Sequence, residues 1–439
     1  MSLTTLPAST EGRAAPLAGL AGAAAAAVVL GMVLAADPPP QTMVAAGVAG
    51  VALMVTLAVV SYDTAVALGF VLFGVVRVEP APSDALLAVL AALAVVSGRV
   101  HLRRIPMPIV GLLAVLVVLN ILSMAGAAAM GEALRYGAIT LYLIVLAVWL
   151  TSYLRNAERT QLVVRAYVAG AVISSLAAVL ALFVAFPGHE ALAGETQSRA
   201  QGLFKDPNVF GPFLIPAALI ALEEALRPRI LGLRRPAAVA VLVVLVLGIV
   251  FAFSRAGWLN FAIGVSVMLF VLSLRTEAAR ATWAAVALIA VVAAFAGAAV
   301  MVTGSVDFLE ERAQLQSYDT ERFSAQRTGV QLASEHPLGV GPGQFELDQP
   351  VSTHSIYIRV LAEQGVLGLA VLIALLAYTL VLAARNAVAG RDTFGVGSAA
   401  LLGAWVGLLA NSAFVDTLHW RHLWLVAALI WVAAMRTSR

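Results

Sequence analysis

The sequence predicts an all-α polytopic membrane protein of about 12–14 transmembrane helices with one large extracytoplasmic loop, and three observations carry that expectation. Hydrophobic residues make up 62% of the chain and charged residues only 12%, with a mean hydropathy of +0.96. That leaves too little polar surface to cover a soluble globule of 439 residues. Apolar runs recur along the chain at lengths that cross, or nearly cross, ~30 Å of hydrocarbon. Finally, the only long hydrophilic stretch is 304–353.

In order, the runs lie at about 17–36, 42–60, 62–78, 84–97, 107–126, 135–153 and 162–186, then 208–226, 237–253, 257–274, 281–303, 358–384, 395–412 and 418–435. The third begins directly after Ser61-Tyr62-Asp63 and the fourth is short, so this pair reads either as two spans or as one re-entrant hairpin. Removing it leaves twelve spans and the same topology. No small-residue cleavage site clearly follows the first run, which predicts a retained helix rather than a signal peptide. The whole of 1–439 thus reads as a single transmembrane domain, with 304–353 inserted between helices. That segment holds Tyr, Phe and Pro as well as charge, the composition of a folded cap rather than a disordered linker. Within it, Thr328 to Glu335 predicts a short helix. In His336-Pro337-Leu338-Gly339-Val340-Gly341-Pro342-Gly343, three glycines and two prolines predict a tight path against another surface. The GxGxG spacing is no phosphate loop: no strand precedes it and no GK[ST] follows.

With a cytoplasmic N-terminus, Arg13, Arg99, Arg103, Arg104, Arg155, Arg159, Arg165, Arg227, Arg229, Arg234, Arg235, Arg275, Arg280, Arg385, Arg391, Arg436 and Arg439 all fall inside. These are 17 of the 27 Lys plus Arg, as the positive-inside rule requires. Both termini are therefore expected in the cytoplasm. Ten basic residues fall on the outer side, where the rule disfavours them: Arg77, Arg135, Arg199, Lys205, Arg255, Arg312, Arg322, Arg327, Arg359 and Arg421. Each needs a local interaction to hold it there.

The composition also excludes functions. There is no cysteine, so disulfides and thiolate metal sites are ruled out, and the six histidines contain no HExxH or other close ligand spacing. Neither a metal nor a cofactor is expected. A net charge of +3 with no long basic run argues against nucleic acid as a partner.

Three polar islands interrupt the apolar chain: 198–211 (SRAQGLFKDPNVFG), 253–260 (FSRAGWLN) and 322–368. An arginine at mid-membrane costs roughly 2.5–3.5 kcal/mol to insert, so arginine-rich islands suggest a site for an anionic ligand at the membrane face. Their order is Arg199-x-x-Gly202 with Asp206-Pro207-Asn208; Ser254-Arg255-Ala256-Gly257; Arg322 fifteen residues before Pro337-Leu338-Gly339-Val340-Gly341; and His354-Ser355-x-Tyr357 with Glu363-x-Gly365. In this order, over about residues 195–370, the chain resembles the O-antigen ligase and O-antigen polymerase superfamily, the WaaL and Wzy type of membrane glycosyltransferase. The first half supports the resemblance only by its helices.

The resemblance implies a GT-C-like fold in the bacterial cytoplasmic (inner) membrane. It also implies transfer of a glycan from an undecaprenyl-diphosphate-linked donor to a glycan or glycolipid acceptor hydroxyl on the extracytoplasmic face, metal-independent and inverting. The chemistry is coherent. A departing lipid diphosphate needs its growing charge neutralised, and guanidinium groups grip phosphate in a bidentate fashion. Arg255 and Arg322 are the first choices, with Arg327 next. The attacking hydroxyl must lose a proton, and His354 suits a general base. Arg199, Lys205, Asn208 and Tyr357 are the further substrate-binding candidates.

Each residue also has a plainer reading. Arg255 fits an end-of-helix arginine snorkelling to the interface. His354 fits a helix-start residue beside Ser355, and Asn208 an N-terminal cap. Arg322 and Arg327 fit a solvated cluster with Asp319, Glu321 and Glu335. Glu363 reads as a structural partner of Arg359 at i−4, and His189, His336, His419 and His422 as packing or interface residues.

Two further classes compete with the enzyme. A membrane transporter of a small anion or lipid-linked substrate should carry polar residues at mid-span and an internal repeat, and neither is evident. A structural membrane protein has no need of the Arg and His islands. Between polymerase and ligase the motifs do not decide. The Ala-, Val-, Leu- and Arg-rich usage suits GC-rich coding, and the balance falls on a polymerase or a general polysaccharide ligase without a lipid A core.

Overall fold

The computed structural model describes residues 56–435 apart from 59, 78–80, 103–104, 195–197, 228, 275–278, 315–316 and 350. The predicted span at 17–36, most of that at 42–60, and Arg13, Arg103, Arg104, Arg275, Arg436 and Arg439 lie outside these residues. The description is helical throughout, and among the described residues the only β-bridge is the isolated pair Thr393–Val396.

The last twelve predicted runs each become a helix. They are α1 (Tyr62–Val71, continued by a 3₁₀ turn, Leu72–Gly74), α2 (Pro82–Val96), α3 (Met107–Ser123), α4 (Met130–Tyr153) and α5 (Ala157–Phe183). After the short α6 (His189–Leu192) come α7 (Pro207–Leu226), α8 (Arg235–Phe251), α9 (Arg255–Ser273) and α10 (Ala279–Val302). The hydrophilic segment folds as α11 (Val306–Ala313), α12 (Ser317–Glu335) and α13 (Phe345–Asp348). Three helices close the chain: the long α14 (Ile356–Val388), then α15 (Ser398–Asn411) and α16 (Arg421–Met435). Among the described residues seven helices are long and apolar enough to cross a membrane, and α1, α2, α8, α15 and α16 are shorter apolar helices. The chain is thus a polytopic all-α membrane protein.

Burial orders the helices. In α7, 89% of the most apolar stretch is buried, against 28% in α3 and 22% in α10. So α7 is the central post, while α3 and α10 turn most of their surface outward, as lipid-facing helices do. Lipid tails are as apolar as leucine, so close backbone approach has to supply much of the helix–helix attraction. At the α9–α15 seam a Cβ added to Gly403 would meet the Gly264 carbonyl oxygen at 2.3 Å, and one added to Gly407 would meet Asn260 Oδ1 at 2.3 Å.

The helix junctions gather at two ends. At one, Ala200 donates to the Phe251 carbonyl (2.8 Å), Ile356 to that of Ser412 (3.1 Å), and Ala129 to Gln344 Oε1 (2.8 Å). At the other, Arg229 pairs with Glu223 and Asp392, and Arg165 donates to the Ile230 carbonyl. The α1–α2 pair runs between these same ends. Its turn meets the first through Val76 and Arg77, which both donate to the Leu203 carbonyl, and through Asp84, which pairs with Arg421. Its start meets the second through Asp63, which accepts from Tyr153 and lies 3.7 Å from Arg159. The start and the turn of the pair thus lie at opposite ends of the bundle, although neither helix reaches the length of the seven spanning ones.

α14 breaks once. Gly365 (φ 71°, ψ −174°) is non-helical, and the break releases carbonyls of the preceding turn. Val340 and Gly341 satisfy them, donating to Ala362 O and Glu363 O at 3.0 Å each. The glycine–proline run therefore lies against the α14 kink. Its approach is so close that a Cβ at Gly339 would stand 2.3 Å from Glu363 backbone, and one at Gly365 2.0 Å from the Pro337 carbonyl oxygen.

Candidate active site

The starts of α7, α9 and α14 meet at the first end, and each is locally specified. Asp206 caps α7, its Oδ1 accepting from Asn208 N at 2.8 Å with Pro207 as the first helical residue. Ser254 caps α9 by accepting from Gly257 N at 3.2 Å. Two non-glycine residues here hold left-handed backbone, Phe253 and His354, both at φ 46°. Such a conformation costs on the order of 1–3 kcal/mol and persists only where its surroundings impose it. Around Phe253 those surroundings are the rings of Phe251, Trp258 and Phe308, at 6.0, 6.2 and 4.8 Å.

His354 stands half-buried just before α14. On one side, Thr353 Oγ1 donates to the Ser355 carbonyl (3.2 Å), and Gln326 of α12 donates to the Thr353 carbonyl (3.2 Å). Arg322 lies one turn before Gln326, on the same face of α12. Burial pushes the His354 imidazole below the usual histidine range and the Arg322 charge pushes it further, against the opposite pull of Asp206, Glu346 and Asp416. At neutral pH the ring is the neutral form a base needs, and among the described residues it takes no hydrogen bond. Ser355, not His354, holds the N-cap position of α14, and it makes no side-chain cap hydrogen bond.

Arg255, the first residue of α9, donates through Nη1 to the Gln314 carbonyl (2.9 Å), which ties it to the end of α11. Arg199 is a brace: Nε donates to Ala252 O (2.9 Å), and Nη2 to Phe253 O (3.2 Å) and Asn208 Oδ1 (3.1 Å). It fixes the strained turn ahead of Arg255. Asn208 is the acceptor in that brace, and the predicted cap role falls to Asp206, because the side chain one residue ahead of Pro207 is the one that reaches the free amide. Tyr357 donates to the Leu409 carbonyl (3.0 Å), which holds α14 to α15. Arg327 is exposed, about 140° around α12 from Arg322 at ~100° per residue. It is not brought to the same face.

Sequence reasoning missed the acidic partners. The buried Arg359, 5% exposed, places Nε 3.3 Å from Glu363, as the i−4 reading expects. Its Nη1 also reaches Asp416 and Glu346, the latter at 3.5 Å, and its guanidinium stacks 4.9 Å over Tyr136. Arg421, another basic residue on the disfavoured side, is gripped in bidentate fashion by Asp84. The signal available was charge of opposite sign at the edges of distant runs, which no spacing connects. His419 is half-buried beside Thr140 Oγ1 (3.0 Å), and burial with the Arg359 charge pushes its pKa down to about 4.

Beside Asp206 lies a cavity of about 730 Å³, walled by α2, α4, the start of α7 and the start of α16, with Lys205, Tyr136 and His419 in its lining. Among the described residues it joins one predicted substrate-binding residue, Lys205, to helices of the first half.

Comparison with known proteins gives one match and one blank. No curated protein matches the chain. Residues 240–373, a little under a third of the chain, match the family model described as O-antigen ligase (Wzy_C). The matched stretch runs from within α8 to within α14 and holds Arg255, Arg322 and His354, but not Arg199, Lys205 or Asn208. Through that stretch, and through the motifs that gave the resemblance, the chain is similar to the O-antigen ligases of the ligase and polymerase superfamily.

Proposed function

We propose that the protein transfers a glycan from an undecaprenyl-diphosphate-linked donor to a hydroxyl of a glycan or glycolipid acceptor. The reaction takes place at the extracytoplasmic face of the bacterial cytoplasmic membrane, without a metal and with inversion. The O-antigen ligase match supports the coarse activity, assembly of cell-envelope glycan. The carrying observation for the mechanism is that a strained, neutral His354 shares one end of the helices with Arg322 and Arg255.

His354 takes the proton of the acceptor hydroxyl as its oxygen attacks the anomeric carbon. The anomeric C–O bond to the diphosphate breaks as the new bond forms, and its electron pair leaves with the diphosphate. Arg255 and Arg322 meet that growing charge; removing one such electrostatic donor costs about 10²–10³ in rate in well-studied enzymes. Arg199 acts one step back, holding the turn that presents Arg255. The bias of arginines toward the opposite end of the helices supports a cytoplasmic assignment for that end, with the site facing outward.

The test is turnover by purified protein in EDTA with lipid-linked glycan as donor, with the new linkage read by NMR. Formation of the linkage with inverted anomeric configuration is expected. Retention of configuration, or turnover that requires added divalent cation, would overturn the mechanism.

A further inference from the structure

The 730 Å³ cavity beside Asp206 lies within the ~300–1,000 Å³ usual for small-ligand sites, and its chemistry differs from that around Arg255. Its charges nearly cancel: Arg135, Lys205 and Arg421 face Asp84 and Asp206, and the Arg421 fork is already held by Asp84. With Arg421 held by Asp84, only Arg135 and Lys205 against Asp206 remain, a surplus of one positive charge, which is less than a diphosphate calls for. Aromatic side chains, Tyr136, Tyr142 and Trp420, contribute instead. Rings and paired charges in a wall that is otherwise apolar suit a molecule with apolar faces and many hydroxyls.

Position narrows the ligand further. Arg255 is tied to α11 through Gln314, whereas the cavity is built from α2, α4, α7 and α16. His354 senses Arg322 and Asp206 together, and Asp206 is part of the cavity lining. In-line displacement needs the attacking hydroxyl and the leaving group on opposite sides of the reacting carbon. We infer that the cavity is a saccharide subsite that seats the sugars of the acceptor and leads the attacking hydroxyl past Asp206 to His354. The inference rests on the glycosyl-transfer reading and adds to it a separate place for the acceptor, built largely from helices outside the O-antigen ligase match.

The chain has no cysteine, so one introduced thiol reports cleanly. Ala138 is exposed and lines the cavity, and Ala389 is exposed at the other end of the helices. Full-length Ala138→Cys and Ala389→Cys are placed in phospholipid nanodiscs, and maleimide labelling rates are measured with two probes. One is the glycan released by mild acid from the source cells' lipid-linked pool, carrying no phosphate; the other is undecaprenyl diphosphate. The released glycan is expected to slow labelling at position 138 at least fivefold, undecaprenyl diphosphate not to, and position 389 to respond to neither. Protection at 138 by undecaprenyl diphosphate but not by glycan would make the cavity an anion site and overturn the inference. Protection by neither would overturn it too. Transfer by wild type, assayed alongside, then separates a wrong subsite from a failure of the glycosyl-transfer reading.

Discussion

His354 holds a conformation that a β-carbon resists, in a position where burial and Arg322 together keep its ring neutral. Protonation in the folded protein is thereby postponed to lower pH, so the acidic limb of the transfer rate should lie below that of an ordinary histidine. Replacing Arg322 with Gln removes one of the two lowering causes. The limb should then move to higher pH while the plateau falls; a lowered plateau with an unmoved limb, in a pH–rate profile, would separate Arg322 from His354. Arg359 makes a different prediction. Among the described residues it is the guanidinium that pairs with Glu346, Glu363 and Asp416, so Arg359→Leu leaves the enclosed Glu363 and Asp416 uncompensated, at a cost of about 3–5 kcal/mol. Thermal unfolding in detergent should show a large drop, where a solvated ion pair would give almost none. At this scale Arg255, Arg322 and His354 stood out as candidates because each sits in a polar island of an apolar chain. Glu346 and Asp416 were not, because they reach Arg359 from 13 residues before it and 57 after, on segments that only the fold brings together.

Among elements, the most exacting contact is the glycine–proline run against the α14 kink. The run was readable as a tight path. The surface it tracks was not, since the break in α14 comes at a lone glycine with no proline to announce it. Gly365 combines positive φ with backbone 2.0 Å from any added Cβ, so Gly365→Ala should displace the run and loosen α12, which leads into it. Faster proteolysis between 317 and 343, with the α15–α16 region unaffected, is the expected outcome, and an unchanged digestion pattern would count against it. The α9–α15 seam gives a second case. Gly403→Val forces a side chain toward the Gly264 carbonyl, and overpacking of this kind costs typically about 1–3 kcal/mol. Because α9 begins at Arg255, transfer should fall along with stability.

For the molecule as a whole, hydropathy marked the helices well, because a helix that meets lipid has little choice of composition. Their order in space was hidden. Nothing in the sequence marks α7 as the central helix, and nothing joins Asp84 of the first half to Arg421 of the last helix. The split of arginines between the two ends leads to a topological prediction. In intact cells, Ala389→Cys should react with a membrane-impermeant maleimide only after permeabilisation, and Ala138→Cys before it. The central claim, that this end of the bundle performs glycosyl transfer with His354 as base and Arg255 on the leaving diphosphate, is tested most directly by one comparison. Transfer from a lipid-diphosphate-linked glycan is measured in EDTA for wild type, His354→Ala and Arg255→Ala. Turnover by wild type, with each variant slower by about 10²-fold or more, is the predicted result. Equal rates in all three proteins would contradict it.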